Sequence, residues 1–167
     1  MSELYTDRLF MRPFSKTDAE PFIDLKTHPE NMAGTNVGAL DAGSARDLLN
    51  AYLAQWQQIA IGMWALIDIE TGTFIGECGF AKRPGFDGLT LRYTIDRHWW
   101  GRGLAPESVA AVLAYGKLQP GLGKVSALAM GTNIRSCRIL EQAGMEHVEN
   151  DFAGVPGFRR YVLALNG

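Results

Sequence analysis

Two glycines stand between a predicted strand and a predicted helix, in the segment Trp100-Gly101-Arg102-Gly103-Leu104-Ala105-Pro106. Glycine lets the backbone approach a bulky ligand, and the first amide groups of a helix have no partner within the helix. These amides lie at the positive end of the helix dipole and commonly bind phosphate. We expect Pro106 to be the first helical residue, where its missing N–H is not needed. The backbone from Gly101 to Ala105 therefore predicts an anion site, although a turn without a ligand could have the same sequence.

Two common nucleotide-binding loops do not match this chain. A dinucleotide-binding fingerprint has glycine or alanine at its sixth place, which here is Pro106. A Gly-x-x-x-x-Gly-Lys-Ser/Thr phosphate loop has its nearest counterpart at Gly123-Lys124-Val125, where Leu118 occupies the first glycine position. We therefore expect neither dinucleotide binding nor nucleotide hydrolysis.

The composition is that of a folded domain without a strong charge bias. Of 167 residues, 47% are hydrophobic and 20% are charged, and the formal net charge is −2. This predicts one domain over residues 1–167 with a sizeable core. There is no basic excess to hold nucleic acid or an anionic membrane, and no apolar run of the ~20 residues that span a bilayer. We expect a soluble cytoplasmic protein with neither nucleic acid nor membrane as a partner.

The cysteines and histidines form no metal-binding pattern. Cys78 and Cys137 are far apart in sequence, and neither belongs to a cluster with His28, His98 or His147. We expect two reduced thiols, which behave as small buried apolar groups, and no bound metal.

The periodicity of apolar residues predicts a mixed α/β fold. Its order is strand, two helices, three strands, helix, strand, helix and two strands. The expected strands are 8–14, 63–69, 74–82, 89–96, 124–130, 145–149 and 159–165. The expected helices begin near residue 15, after Asp41 or Ser44 as the cap, at Pro106 and near residue 132. Such an order predicts one sheet with helices packed on it.

The glycine segment resembles a known cofactor loop. Trp100-Gly101-Arg102-Gly103-Leu104-Ala105 is similar to the pyrophosphate loop of the GNAT superfamily of N-acetyltransferases, usually Arg/Gln-x-x-Gly-x-Gly/Ala. Trp100 departs from that pattern, but it resembles the branch of ribosomal-protein N-terminal (alanine/serine) acetyltransferases. The stretches Thr6–Phe14 and Asn133–Met145 are also similar to this branch. The resemblance implies a mostly antiparallel twisted sheet with one parallel, splayed strand pair and helices on both faces.

The resemblance also implies a reaction and its partners. Acetyl-CoA would be the co-substrate, and its acetyl group would pass directly to a primary amine in a ternary complex. The amine would belong to a protein or peptide N-terminus or to a small molecule, and a homodimer is possible. Pantetheine would lie between the strand that ends at Asp96 and the strand 124–130. The implied cofactor contacts are Trp100, Gly101, Arg102, Gly103, Leu104, Ala105, Asn133 and Arg138.

Glu77 is the leading candidate for the general base that such a transfer needs. It lies within Ile75-Gly-Glu77-Cys-Gly79, where an apolar strand carries a single carboxylate. A carboxylate is costly in a central strand unless it is paired or solvated, so Glu77 could instead face solvent or pair with Arg92. Relatives often carry a second carboxylate on the next strand, but Thr90 stands at the matching place. A water relayed from a backbone carbonyl is therefore an open alternative for the base.

Ser136 is the candidate for stabilising the leaving thiolate. Asn133-x-x-Ser136 places this serine in the first turn of a helix, whose positive end favours a developing anion. Related enzymes often use a tyrosine later in the helix, but Leu140 and its neighbours provide none. Asn133 joins the candidate catalytic group, although Asn133 and Ser136 could equally form a helix cap. Cys137 is not favoured as a nucleophile, since one helical step turns it about 100° away.

A second function class remains open. Because Thr90 stands where relatives often carry a carboxylate, the chain could be a catalytically inactive acyl-CoA-binding sensor or scaffold module with the same fold. Arg135 and Arg138 lie three residues apart and share a helix face, so they could contact the nucleotide phosphate of CoA or simply face solvent.

Overall fold

A computed structural model describes residues 2–35 and 37–166. The strands are β1 (Leu4–Tyr5), β2 (Leu9–Pro13), β3 (Met63–Asp68), β4 (Phe74–Lys82), β5 (Leu89–Ile95), β6 (Lys124–Met130), β7 (Glu146–Glu149) and β8 (Phe158–Ala164). Within those two ranges they form one eight-stranded sheet in the order β1-β2-β3-β4-β5-β6-β8-β7. The β5–β6 pair is parallel and the other neighbours are antiparallel.

The helices are α1 (Ala19–Thr27), α2 (Pro29–Met32), α3 (Ala42–Ile59), α4 (Leu104–Lys117) and α5 (Ile134–Gln142). Short 3-10 turns occupy Lys16–Asp18, Arg97–Trp99 and Phe152–Gly154. The side chain of Asp41 caps α3 by accepting from the Ser44 amide at 2.7 Å. A side-chain oxygen at this position satisfies an amide that has no partner within the helix, so the expected start of the second helix is confirmed.

Buried side chains cover both faces of the sheet. On one face, Tyr52 of α3 packs with Phe14 and Phe22. On the other, α4 lies so close to the sheet that a side chain at Gly116 would come within 2.9 Å of Phe80. These two layers of helices around one sheet confirm the predicted fold class, a single α/β domain.

Three local elements differ from the sequence-based expectation. The first turn of α4 begins at Leu104, after Gly103 in a left-handed conformation, so Pro106 is the third helical residue rather than the first. Its missing N–H still costs nothing there, because that amide would have no partner within the helix. The two-residue strand β1 and the one-turn helix α2 were not expected, since both are too short to show a periodic pattern.

The sheet opens between β5 and β6. The two parallel strands share one paired position, Thr90 with Ser126, and β6 continues its pairing with β8 instead. This is the predicted splayed pair. At the far edge of the sheet lies β7, whose four residues are all exposed; the possible homodimer stays a prediction.

Candidate active site

The loop between β5 and α4 presents a row of backbone N–H groups. Gly101 and Gly103 have φ of 77° and 75°, a region that glycine adopts far more easily than other residues. None of the five N–H groups from Gly101 to Ala105 donates to another residue within the described ranges. Because they lie at the N-terminus of a 14-residue helix, they form a candidate site for an anion.

Side chains from the N-terminal segment hold this loop in place. Arg8 donates to the carbonyl oxygen of Arg102 at 2.6 Å and forms a salt bridge of 2.9 Å with Glu107 in the first turn of α4. Thr6 donates to the other carboxylate oxygen of Glu107 at 2.7 Å. These contacts connect two of the sequence stretches that carried the family resemblance, Thr6–Phe14 and the glycine loop.

The aromatic residues before the glycines have different positions. Trp100 lines the large cavity beside the loop, and its indole N–H donates to the carbonyl of Ile95 at 2.7 Å. The guanidinium of Arg135 lies 6.0 Å from the Trp100 ring. Arg102 instead stacks on Trp99 at 4.5 Å and its side chain does not line that cavity. Of these predicted cofactor contacts, Trp100 can therefore act through its side chain and Arg102 through its backbone.

A cavity of about 1070 Å³ runs from the loop into the opening between β5 and β6. Residues 91–95 of β5 and 127–130 of β6 line it, and so do Gly101, Gly103, Leu104 and Ala105. The lining of the cavity as a whole is mainly apolar. The anion site is therefore continuous with a slot that can take an extended chain, and this agrees with the predicted location between the two strands.

Glu77 is buried within β4 and ion-paired. Only 1% of its surface is exposed, and its Oε1 accepts from the ammonium of Lys26 at 2.6 Å. Thr94 and Tyr52 also donate to Oε1, at 3.3 and 3.5 Å. Its other oxygen, Oε2, has no hydrogen-bond partner among residues 2–35 and 37–166. The carboxylate is thus paired with Lys26, which sequence reasoning did not identify, and not with solvent or Arg92. Its second oxygen lies beside the cavity without a partner in these ranges.

Ser136 lies in the first turn of α5 and lines the cavity. Its hydroxyl is 2.6 Å from the hydroxyl of Tyr93 on β5. Burial raises the pKa of Tyr93, and the hydrogen bond with Ser136 opposes that rise without cancelling it. Tyr93 therefore stays protonated at neutral pH. The pair places a neutral hydroxyl donor at the positive end of a helix, next to the opening between the strands.

Asn133 has the capping role that was one of its two expected roles. Its side-chain oxygen accepts from the Ser136 amide at 3.2 Å, and its Nδ2 donates to the carbonyl of Gly34 at 3.2 Å. It also lines the cavity, so both expected roles are compatible. Arg138 is exposed and does not line the cavity, whereas Arg135 does. Of these two arginines, Arg135 is therefore the one that reaches the cavity.

Neither cysteine lines the cavity. Burial raises the pKa of Cys78 to about 12, so this thiol stays protonated. The thiol of Cys137 is buried and lies 3.5 Å from the carbonyl oxygen of Met130. These positions agree with the expectation that the thiols are not nucleophiles.

Residues 2–35 and 37–166 contain neither a metal-binding cluster nor a membrane-spanning helix. No group of three or more His, Cys, Asp and Glu side chains is arranged to hold a metal ion. No helix in these ranges is both long enough and apolar enough to span a membrane.

Sequence reasoning missed Lys26 and Tyr93 as members of the site. Lys26 lies in the last turn of α1 and resembles an ordinary solvent-facing lysine, yet it is 6% exposed. Tyr93 lies on the strand face that also holds Leu91 and Ile95, so the pattern indicated only packing. The sole sequence signal was the absence of a tyrosine near Leu140. Without it, the donor to the leaving thiolate had to come from elsewhere in the chain.

Known proteins share both the sequence and the fold of this chain. The sequence profile of the acetyltransferase (GNAT) domain family matches residues 8–146. An uncharacterised N-acetyltransferase p20 from Bacillus licheniformis is 27% identical over 148 residues, which is 87% of this chain and 83% of that protein.

Solved structures agree with the profile. A putative GNAT-family acetyltransferase from Bordetella pertussis is 26% identical with a TM-score of 0.85, covering 98% of this chain and 100% of its own. A ribosomal L7/L12 α-N-protein acetyltransferase in complex with coenzyme A has a TM-score of 0.78 at 12% identity, covering 95% of each chain, and so shares the fold. The profile match extends over most of the sequence, and with it the chain is shown to belong to the GNAT family of N-acetyltransferases, which use acyl-CoA.

Proposed function

We propose that this enzyme transfers the acetyl group of acetyl-CoA to a primary amine by direct attack within a ternary complex. The carbon–nitrogen bond forms as the thioester carbon–sulfur bond breaks. The amine loses one proton, and the departing thiolate gains one. The amine belongs to a protein or peptide N-terminus or to a small molecule.

The observation that carries this proposal is the row of five unpartnered N–H groups that opens into the cavity between β5 and β6. Coenzyme A has a pyrophosphate followed by an extended, largely uncharged pantetheine arm that ends in the thiol. The order of chemical groups along the cofactor matches the order along the cavity, with an anion site first and an apolar slot second. The coenzyme A held by a protein of the same fold supports this assignment.

Tyr93 and Ser136 are the proposed donors to the leaving sulfur. Their hydroxyls are 2.6 Å apart, at the end of the slot where the α5 N-terminus adds positive potential. A hydrogen bond to a developing thiolate stabilises it, and proton transfer from the same hydroxyl completes its departure. We assign the direct contact with the sulfur to Ser136, because it lies in the first turn of α5, and the orientation of its hydroxyl to Tyr93.

Glu77 is the proposed final acceptor of the amine proton. Its Oε2 is free of hydrogen bonds, and its charge is held by Lys26 at 2.6 Å. Because Glu77 is 1% exposed, the proton would reach it through a bridging water rather than by direct contact with the amine. Thr90 stands where relatives often carry a second carboxylate, and it cannot replace that base. Its hydroxyl donates to the carbonyl of Ala81 at 3.0 Å.

The proposal is tested by calorimetric titration of acetyl-CoA into the wild type, Gly103→Asp and Gly121→Asp. At both glycines φ is positive, 75° and 83°, so an aspartate strains the backbone similarly at the two places. At Gly103 the new side chain would begin 3.5 Å from the Arg8 guanidinium and would add a negative charge to the loop. Because that charge lies beside the proposed phosphate site, we expect affinity to fall at least about tenfold. Gly121 lies in the turn after α4, and its variant is expected to bind like the wild type.

A thiol-release assay with a panel of amines completes the test. Release that depends on both acetyl-CoA and an amine supports the transferase. Binding of acetyl-CoA without release for any amine would instead identify the inactive acyl-CoA-binding module. If a folded wild type does not bind acetyl-CoA, the proposed role of the loop is wrong.

A further inference from the structure

Two arginines face the cavity without an acidic partner. Arg83 follows β4 directly, Arg92 lies within β5, and both line the cavity. Neither forms a salt bridge with any carboxylate in the described parts of the chain. Burial lowers the pKa of Arg83, and the neighbouring positive charge of Arg92 lowers it further. By strand alternation the two side chains lie on the same face of the β4–β5 pair, because Arg92 pairs with Gly79 and Arg83 is four residues further along. Two partly buried cations that line one cavity without a carboxylate partner indicate a missing anion.

The other charged residues of the cavity do not supply this anion. Glu77 is already paired with Lys26 at 2.6 Å. Asp47 of α3 also lines the cavity but forms no salt bridge to either arginine. This part of the cavity carries more positive than negative charge. The positive side chains are Arg83, Arg92 and Lys26, and the negative ones are Asp47 and Glu77.

The two arginines lie away from the pyrophosphate loop. Lys82 pairs with Leu89, so Arg83 lies beside the beginning of β5, whereas the glycine loop follows the end of that strand. Arg83 extends over the ring of Phe158, with its guanidinium 5.8 Å from the ring centre. The length of β5 therefore separates Arg83 from the loop that would hold the cofactor phosphates, and Arg92 lies at the middle of that strand.

Arg92 is close to the residues that would receive the amine. By the alternation of β5 it shares a face with Thr94, whose hydroxyl lies 3.3 Å from Glu77. Arg92 pairs with Gly79, two residues along β4 from Glu77, so the two side chains lie on one face of the sheet. Burial and the charge of Glu77 raise the pKa of Tyr52, and the charge of Arg92 opposes that rise. Since Tyr52 contacts Glu77 at 3.5 Å, one small molecule could reach both the base and the arginines.

We infer that Arg83 and Arg92 bind a carboxylate of the acceptor, and that the acceptor is an amine carrying this carboxylate a few bonds from its nitrogen. A guanidinium matches a carboxylate by two parallel hydrogen bonds, and such charge-assisted bonds are strong when partly shielded from water. The inference rests on the proposed function, because it names the substrate class of the same site.

The experiment compares amino acids with their amides. Glycine, β-alanine and 4-aminobutyrate are each paired with the corresponding amide, and thiol release is measured at equal concentrations of neutral amine. We expect kcat/KM in the wild type to favour at least one carboxylate over its amide about tenfold or more. Arg83→Gln and Arg92→Gln should bring that ratio close to one while leaving the KM for acetyl-CoA unchanged. Lys82→Gln, which removes the same charge from an exposed neighbour outside the cavity, should keep the wild-type ratio.

A binding measurement separates this inference from the proposed function. 3-Hydroxypropanoate, which has the carboxylate but no reactive amine, is titrated into the CoA-loaded wild type and the two arginine variants. If it binds in an arginine-dependent way but no amine releases thiol, the carboxylate site stands and acetyl transfer fails. If amides or polyamines are acetylated as well as carboxylates, the carboxylate site fails and acetyl transfer stands. A change confined to the KM for acetyl-CoA would assign the arginines to the cofactor and overturn the inference.

Discussion

The buried ion pair of Lys26 and Glu77 allows a stability prediction of definite size. The ammonium and carboxylate are 2.6 Å apart, and their side chains are 7% and 1% exposed. Replacement of Lys26 by methionine keeps much of the aliphatic chain but leaves the carboxylate unpaired. Thr94 and Tyr52, at 3.3 and 3.5 Å, are neutral and too distant to compensate for the lost charge.

Removing one partner of a buried pair lowers the free energy of unfolding by about 3 to 5 kcal/mol. For a chain of this size, that loss corresponds to a fall in Tm of roughly 6 to 20 °C. The double variant Lys26→Met/Glu77→Gln removes the uncompensated charge as well, so we expect it to be more stable than Lys26→Met alone. Urea and thermal unfolding, followed by circular dichroism, measure both effects.

An exposed ion pair in the same protein provides the matched control. Arg160 and Glu149 are 3.0 Å apart, but their side chains are 30% and 44% exposed. Solvent screens such a pair, so Arg160→Met should cost no more than about 1 kcal/mol. A loss for Lys26→Met no larger than that of Arg160→Met would refute the importance of burial for the Lys26–Glu77 pair.

Two other predictions concern catalysis and pH. Ser136→Ala should lower kcat about a hundredfold and Tyr93→Phe about tenfold, with the KM for acetyl-CoA nearly unchanged, because a positioned proton donor contributes to the chemical step. Exposed Tyr5→Phe is the control, and an unchanged kcat in Ser136→Ala would exclude the serine from the step. Burial opposes ionisation of Asp18, yet its hydrogen bonds with Arg12 and the Ser15 amide hold its pKa below 3.8. Since a lowered pKa stabilises the fold above the unfolded-state value, the advantage of wild type over Asp18→Asn should shrink below about pH 4 and vanish as pH falls through the folded-state pKa; an advantage that persists in acid would contradict it.

The long elements could be predicted because each carries its own periodic signal. Strands β4 and β6 begin and end at the expected residues, since apolar residues there are bounded by turn-forming ones. The start of α3 was expected from Asp41 as one of two possible caps. By contrast, α2 has four residues and β1 has two, which is about one period each and too short to show a repeating pattern.

The residues of the candidate site also divide into those that a local pattern predicts and those that it does not. The glycine loop could be identified from sequence, because the proposed anion site is made by adjacent residues and their backbone conformations. Ser136 and Asn133 could also be identified, since helix capping involves residues three apart. Arg138 and Arg135 could not be distinguished, because spacing shows that they share a helix face but not which of them reaches the cavity.

The sequence by itself determined the fold class, the family and the location of the glycine loop that we propose binds an anion, because these depend on local periodicity and contiguous motifs. Only the tertiary structure decided which side chains meet at the reaction centre. Lys26 and Glu77 are 51 residues apart, and Tyr93 and Ser136 are 43 apart. No local pattern encodes such pairs, since they form only when α1 packs on β4 and α5 packs beside β5. The same packing left Arg83 and Arg92 in the cavity without an acid, and their unpaired charge is the feature that points to the acceptor.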